Sequence, residues 1–261
     1  MNSALWVSKT GLSAMDKQLN VVANNLANVS TTAFKKDRAV FEDLMYKTVR
    51  APGGLSAQNA ELPSGLQLGT GVKVGATQKD FSNGDYNMTD RQLDIAIQGK
   101  GFLQVLQPDG TMAYTRDGSL QLNSQGQLVS SDGLVVEPGI QIDPDVIEIM
   151  IAEDGIVSVR RNGDADAQQV GAINIAGFIN PTGLSAAGQN LFTETNASGP
   201  PIVGAPGTDS LGTIAQGMLE ASNVNSIEEL VNMITTQRAY EMNSKVIASA
   251  DGMMSFAIQQ L

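Results

Sequence analysis

The sequence predicts an α+β protein: long N- and C-terminal helices forming a coiled-coil-like terminal domain, and a central antiparallel β-rich body, a curled sheet or barrel. Three observations carry this. Apolar residues recur at heptad spacing near the start, a capped helical pattern occupies the last forty or so residues, and Asp-Gly and Asn-Gly pairs separate alternating runs between them.

At the N-terminal end, Leu5, Leu12, Leu19 and Leu26 stand seven residues apart, with Met15, Val22 and Val29 at the intervening positions and only Ser8 breaking the set. That spacing is a coiled-coil seam. About 25 residues of helix would run roughly 37 Å, and after Gly11 neither Pro nor Gly interrupts it before Asn28. Ser30, Thr31 and Thr32 then favour a turn. At the far end, Ser226 and Glu229 have capping-box spacing, with Glu228 and Glu229 in the first turn, where the helix dipole favours carboxylates. Ile227, Leu230, Val231 and Ile234 make one apolar face. Ala239, Met242, Val246, Ala250, Met253, Ala257 and Leu261 make a second run, shifted as by a stutter.

The body follows a different period. Asp109-Gly110, Asp117-Gly118, Asp132-Gly133, Asp154-Gly155, Asn83-Gly84 and Asn162-Gly163 supply residues suited to tight hairpins. Alternating pairs such as Ile95/Ile97, Ile147/Ile149/Ile151 and Val157/Val159 each place apolar side chains on one strand face. No helical crossover separates these runs, so the pairing is antiparallel. Residues 51–71 and 180–212, rich in Gly, Pro and polar residues, read as loops or extended arms. The chain thus divides into residues 1–34 plus 222–261 as a helical domain, 35–92 plus 197–221 as a connecting region carrying the arm 46–71, and 93–196 as the β-rich body.

Composition narrows the function. The 261 residues contain no cysteine and no histidine, which removes thiol and imidazole nucleophiles, bases and zinc ligands. The net charge of −11 sets the chain against nucleic acid as a partner. Lys35, Lys36 and Arg38 form its one basic cluster, read as a solvated turn. No run approaches the roughly 18 apolar residues of a membrane span, and the first residues, with Lys9, Asp16 and Lys17, lack the apolar core of a cleaved signal peptide. Gly69-Thr70-Gly71-Val72-Lys73 lacks the ending of a phosphate loop. Asp143, Asp145, Glu148, Glu153 and Asp154 are turn acids that could be paired as in a glycan hydrolase only on paper. Asp80, Asn83, Asp85, Asn87 and Asp90 miss the order of a calcium loop. No catalytic, cofactor-binding or metal-binding residue is expected. Asn24, Asn25 and Asn28 flank Leu26 in a helix that they disfavour, which suggests hydrogen bonds to a neighbouring chain.

Residues 19–35, LNVVANNLANVSTTAFK, and 221–245, ASNVNSIEELVNMITTQRAYEMNSK, resemble the terminal signatures of bacterial flagellar rod and hook proteins. IQGKGFLQV at 97–105 and YTRDGSLQLNSQGQLV at 114–129 are similar to the same family. Ala33 stands where that family commonly has Gly. The chain length and residues 46–71 place the resemblance nearest the distal part of the rod, with the proximal rod or a short hook-type subunit as the alternative. A cell-wall glycan-binding or glycan-hydrolysing protein is the rival from another class.

The resemblance implies a helical tubular homopolymer that carries torque, with the terminal helices lining the inner core and the β body outside. It implies signature residues Asn24, Asn25, Asn28, Phe34, Asn223, Asn225, Gln237, Arg238, Tyr240 and Glu241. The assembly seams would be Leu5, Leu12, Met15, Leu19, Val22 and Leu26 on the first helix. On the second they would be Ile227, Leu230, Val231, Ile234, Val246, Met253 and Leu261. Pro52, Gly53, Pro63, Gly65 and Gly69 would shape the arm. Implied partners are further copies of itself, proximal rod proteins, the hook protein, the ring bushing in peptidoglycan and outer membrane, and the flagellar type III export apparatus. The implied location is the basal body, spanning periplasm to outer membrane, reached without a cleaved signal peptide and without membrane insertion.

Overall fold

A computed structural model describes residues 3–51, 55–57, 60–61, 64–162 and 166–259. The architecture is α+β, with one long helix at each end, α1 (Ser3–Ala27) and α2 (Ser226–Gln259), and short strands between them. The chain falls into two compact units. One comprises Met1–Ala27, Asp37–Lys79 and Asn225–Leu261; the other comprises Asn28–Lys36 and Asp80–Val224.

In the first unit α1 and α2 pack antiparallel, since Gly11 faces Asn243 while Asn25 reaches Glu229. A Cβ on Gly11 would lie 3.3 Å from the Asn243 amide nitrogen, so the absence of a side chain there lets the helices approach. Coiled-coil pairing along the leucine seam is not confirmed. Ser8, Ala14, Val22 and Asn25 are the buried positions of α1, whereas Leu5, Leu12, Met15, Leu19 and Leu26 are half-buried. Small and polar residues let two backbones come close, and this displaces the leucines to the flanks of the contact.

The strands of this unit form an antiparallel ribbon. Asp37–Asp43 pairs with Val72–Lys79, Lys47–Arg50 with Leu66–Leu68, and Leu55–Ala57 with Ala60–Glu61. The irregular arm expected at 46–71 is therefore strand-paired over much of its described length. Lys47, Thr48 and Arg50 against Leu68, Gln67 and Leu66, with a register shift at Val49, are too short and irregular a run to give a periodic signal.

The second unit holds the apolar core. Phe102–Leu106 lies at the centre of a nine-stranded sheet, between Val135–Val136 and Met112–Thr115, and it also pairs with Ile175–Gly177. A second sheet joins Val146–Ile151, Ile156–Arg161 and Gln168–Ala172. Ile95, Leu103, Leu120, Ile173 and Ile214 are among the side chains fully enclosed between them. The barrel alternative is corrected: the large sheet runs from Gln121–Leu122 to Ser185–Gly188 and leaves both edges open. Gly110, Gly133 and Gly155 take the positive φ of tight turns. Gly118 does not, and serves packing instead, because a Cβ there would collide with the Ile95 carbonyl oxygen.

One ion cluster is buried in this unit. Glu220, Lys35 and Arg116 have side chains almost wholly out of water, so the reading of Lys35 as part of a solvated turn is corrected. Its ammonium donates to Glu220 Oε1 and to the Ser82 carbonyl, both at 2.7 Å. Arg116 donates to Glu220 Oε2 at 3.1 Å, to Asn83 Oδ1 and to the Gly101 carbonyl, and also to the Gly99 carbonyl. The Gly84 amide donates to Glu220 Oε1 at 3.0 Å. Burial pushes the Lys35 ammonium below the ordinary lysine value; Glu220 draws it back up, and Arg116 opposes that.

Replacing Glu220 by Ala leaves two buried cations without their counterion, a change that costs about 3–5 kcal/mol; urea unfolding should show a loss of that size. The Lys35 shift also has a sign. Between the depressed folded value and the unfolded value near 10.5 the unfolded chain binds more protons, so this residue makes stability rise with pH in that window. Lys35→Met should abolish that part of the slope when unfolding free energies are compared across alkaline pH up to about 10.5. Ala33, at φ 56° and almost fully buried, gives a third expectation. Glycine there relieves about 1–2 kcal/mol of left-handed strain while losing about 0.8 kcal/mol of methyl burial, so Ala33→Gly should shift stability by about 1 kcal/mol or less.

Candidate assembly surfaces

The signature asparagines act within the chain. Asn25 accepts from the Asp37 amide and donates to the Asp37 carbonyl, both at 2.9 Å, so its carboxamide pairs with that residue as a neighbouring strand would. The same nitrogen reaches Glu229 Oε2 at 3.4 Å. These bonds correct the expectation that Asn25 reaches a neighbouring chain, because its amide is already engaged. Asn28 Oδ1 accepts from Thr31 Oγ1 in the turn after α1, and Asn24 is exposed on the helix.

In the other unit Asn223 plays the corresponding part. Its Oδ1 accepts from the Lys36 amide at 2.8 Å, and its Nδ2 donates to the Asp80 carbonyl at 2.9 Å and the Ser82 carbonyl at 3.2 Å. The buried Phe34 accepts from the Asn223 amide through its carbonyl. Asn225 caps α2, accepting from the amides of Ile227 and Glu228. The capping box expected from Ser226 and Glu229 is thus replaced by an asparagine cap, and Glu229 turns inward, buried beside Asn25.

α2 leaves most of its large apolar side chains uncovered. Glu229, Asn232, Met233, Thr236, Ala239, Asn243, Ile247 and Ala250 lie on its covered side. Ile227, Leu230, Val231, Ile234, Val246 and Met253 are all exposed, as are Met242 and Phe256. Gln237, Arg238, Tyr240 and Glu241 also stand on the exposed surface. Leu261 lies outside the described residues, as do Pro52, Gly53 and Pro63 of the arm. Gly65 and Gly69 are exposed in the ribbon, whose strands Lys47–Arg50 and Leu66–Leu68 bury neither face. A lone two-stranded ribbon is marginal in water.

Three family models match the chain. One described as flagella basal body rod protein covers residues 5–35, a second, the flagellar hook protein FlgE/F/G D1 domain, covers 96–159, and the C-terminal model of the flagellar basal body rod FlgEFG proteins covers 215–260. The chain is 53% identical to the flagellar basal-body rod protein FlgG of Buchnera aphidicola subsp. Schizaphis graminum, over 97% of this chain and 98% of that one. The chain belongs to the flagellar basal-body rod family.

As a member of the rod family it is a structural subunit of the flagellar basal body, not an enzyme. Members of this family self-polymerise and join other axial components of the flagellum. In Caulobacter vibrioides it is 44% identical to FlgG over 98% of both chains, and 35% identical to FlgF over 100% of this chain and 98% of that one. A crystal structure of Helicobacter pylori flagellar hook protein FlgE2 aligns at 13% identity over 71% of this chain and 43% of its own, with a TM-score of 0.25.

Sequence reading missed the side-chain partners of Asn25 and Asn223. An asparagine placed just before a turn and another just before a helix was the available signal, but its acceptors lie far along the chain. Removing either carboxamide leaves backbone groups of Lys36 or Asp37 without their partner. Asn25→Ala and Asn223→Ala should each cost about 1–3 kcal/mol in chemical unfolding, against about 0.5 kcal/mol or less for Gln237→Ala on the surface.

Proposed function

We propose that this chain is the building block of the distal rod, a helical tubular shaft that carries motor torque across the periplasm to the hook. The observation that carries the reading is the outward apolar run of α2. Thirty-four residues of helix, about 51 Å at 1.5 Å per residue, present Ile227 through Phe256 to water in the isolated chain. Such a surface is stable only when it is covered, and in a self-polymerising family the cover is another copy. The greater identity to the Caulobacter FlgG than to the FlgF of the same organism supports the distal position.

In this reading residues 1–34 and 222–261 form the inner core, 93–196 face outward, and the connecting region 35–92 plus 197–221 carries the arm. Leu5, Leu12, Met15, Leu19, Val22 and Leu26, with Ile227, Leu230, Val231, Ile234, Val246, Met253 and Leu261, supply the core seams. The arm, with Pro52, Gly53, Pro63, Gly65 and Gly69, lies along neighbouring subunits and stiffens the shaft. Proximal rod proteins adjoin one end and the hook protein the other. The ring bushing in peptidoglycan and outer membrane surrounds it, and subunits arrive through the type III export apparatus. No described helix is long and apolar enough to cross a membrane.

Electron microscopy of basal bodies tests this. Val231→Asp with Ile234→Asp should leave the monomer folded, by circular dichroism, and abolish the rod, while deletion of residues 52–68 should give shorter or bendable rods. Rods of normal length and rigidity in both variants would sink the proposal.

A further inference from the structure

Among the described residues the two most exposed large apolar side chains are Met45, 90% exposed, and Ile179, 81% exposed. They belong to different units. Met45 follows the strand Asp37–Asp43 in the first, and its carbonyl is held by Thr70 Oγ1 at 2.6 Å, which fixes the backbone beneath a free side chain. Ile179 lines a cavity of about 450 Å³ in the second, walled by Phe81, Phe102 and Phe178. The wall is rigid, because Phe102 packs edge-on against both other rings at 5.4 and 5.8 Å and the Arg116 guanidinium lies against its ring.

We propose that this aromatic pocket receives Met45 of a second copy of the chain. This inference rests on the helical-polymer reading above. A flexible, polarizable thioether suits a pocket of phenylalanine edges, and Ile179 and Ile202 provide an apolar rim around it. The charges match in both signs. Exposed Lys100 and Asp209 line the pocket, while Met45 is preceded by exposed Asp43 and followed by exposed Lys47, Glu42 being paired with Lys73 at 3.0 Å. The acidic side of the inserted segment meets Lys100, and Lys47 meets Asp209. Knob and pocket are different patches, so the contact is head to tail, and it repeats into an open filament when the rotation between copies does not close a ring. The buried Glu220 cluster gives the pocket its fixed shape, since Arg116 belongs to both.

The chain contains no cysteine, which permits a clean test. Subunits carrying Met45→Cys and subunits carrying Ile179→Cys are mixed, polymerised and treated with a thiol oxidant. A disulfide-linked dimer is expected only when both variants are present and only in the polymer. Ile179→Asp, checked for folding by circular dichroism, should raise the concentration needed for polymerisation at least tenfold. Polymers that form without the mixed dimer, together with unchanged polymerisation of Ile179→Asp, overturn the inference but leave the rod reading intact. A bond that closes within one chain of a Met45→Cys/Ile179→Cys double variant in dilute solution also overturns it. Failure of the unsubstituted chain to polymerise at all removes the rod reading, and the inference with it.

Discussion

Glu220 is the carboxylate on which the β-rich unit closes. It holds two cations away from water and accepts the Gly84 amide, and its own carbonyl accepts from the amide of Ala33. Segments near residues 33–35, 82–84, 99–101 and 116 therefore all end at one point. Burying three charges is costly unless every member is paired and hydrogen-bonded, and here each one is. Hydrophobic burial alone would tolerate many paths for these segments; a buried carboxylate with fixed donors tolerates one. Asn223, three residues on, extends the same principle to the backbone of Lys36, Asp80 and Ser82.

The helical unit follows an opposite logic. A helix of a self-contained protein hides its apolar stripe, but α2 turns Glu229, Asn232, Thr236 and Asn243, with Met233 and Ile247, toward its covered side and leaves most of its large apolar side chains outside. At Gly11 the Asn243 side chain takes the space that a Cβ would need, so a polar residue of α2 packs directly on the α1 backbone. The isolated subunit is left with unsatisfied apolar surface. The ribbon adds to it, with Met45, Tyr46, Val49, Leu66 and Leu68 all exposed. In a family whose members polymerise, exposed apolar surface of this extent is what the assembly proposed above would cover.

Much of the fold was legible in the sequence, for local reasons. Heptad leucines and an uninterrupted run marked α1, carboxylates in a first turn marked the start of α2, and Asp-Gly pairs marked hairpins at residues 110, 133 and 155. What escaped was non-local. Lys35 looked like a turn residue because its carboxylate lies 185 residues away. The leucines of α1 looked like a seam because periodicity reports which residues share a face, and not what that face meets. The arm looked irregular because its strands are two to four residues long. As for the assembly surfaces, Asn24, Asn25 and Asn28 stood out as poor helix formers and the other signature residues through resemblance alone, while the intrachain partners of Asn25 and Asn223 lie too far along the chain for local pattern to reveal.

The Glu220 cluster also sets a timetable. Its partners are separated from it by 185, 136 and 104 residues, so loop closure must precede every one of its contacts. A chain that emerges from a narrow passage with its N-terminus leading would have both cations out and waiting while their carboxylate is still inside. The β-rich unit could not lock until nearly all of the polypeptide ahead of α2 had cleared the exit. In such a passage topology itself would defer folding of this unit, and the last element to emerge would be α2, with its exposed apolar side chains.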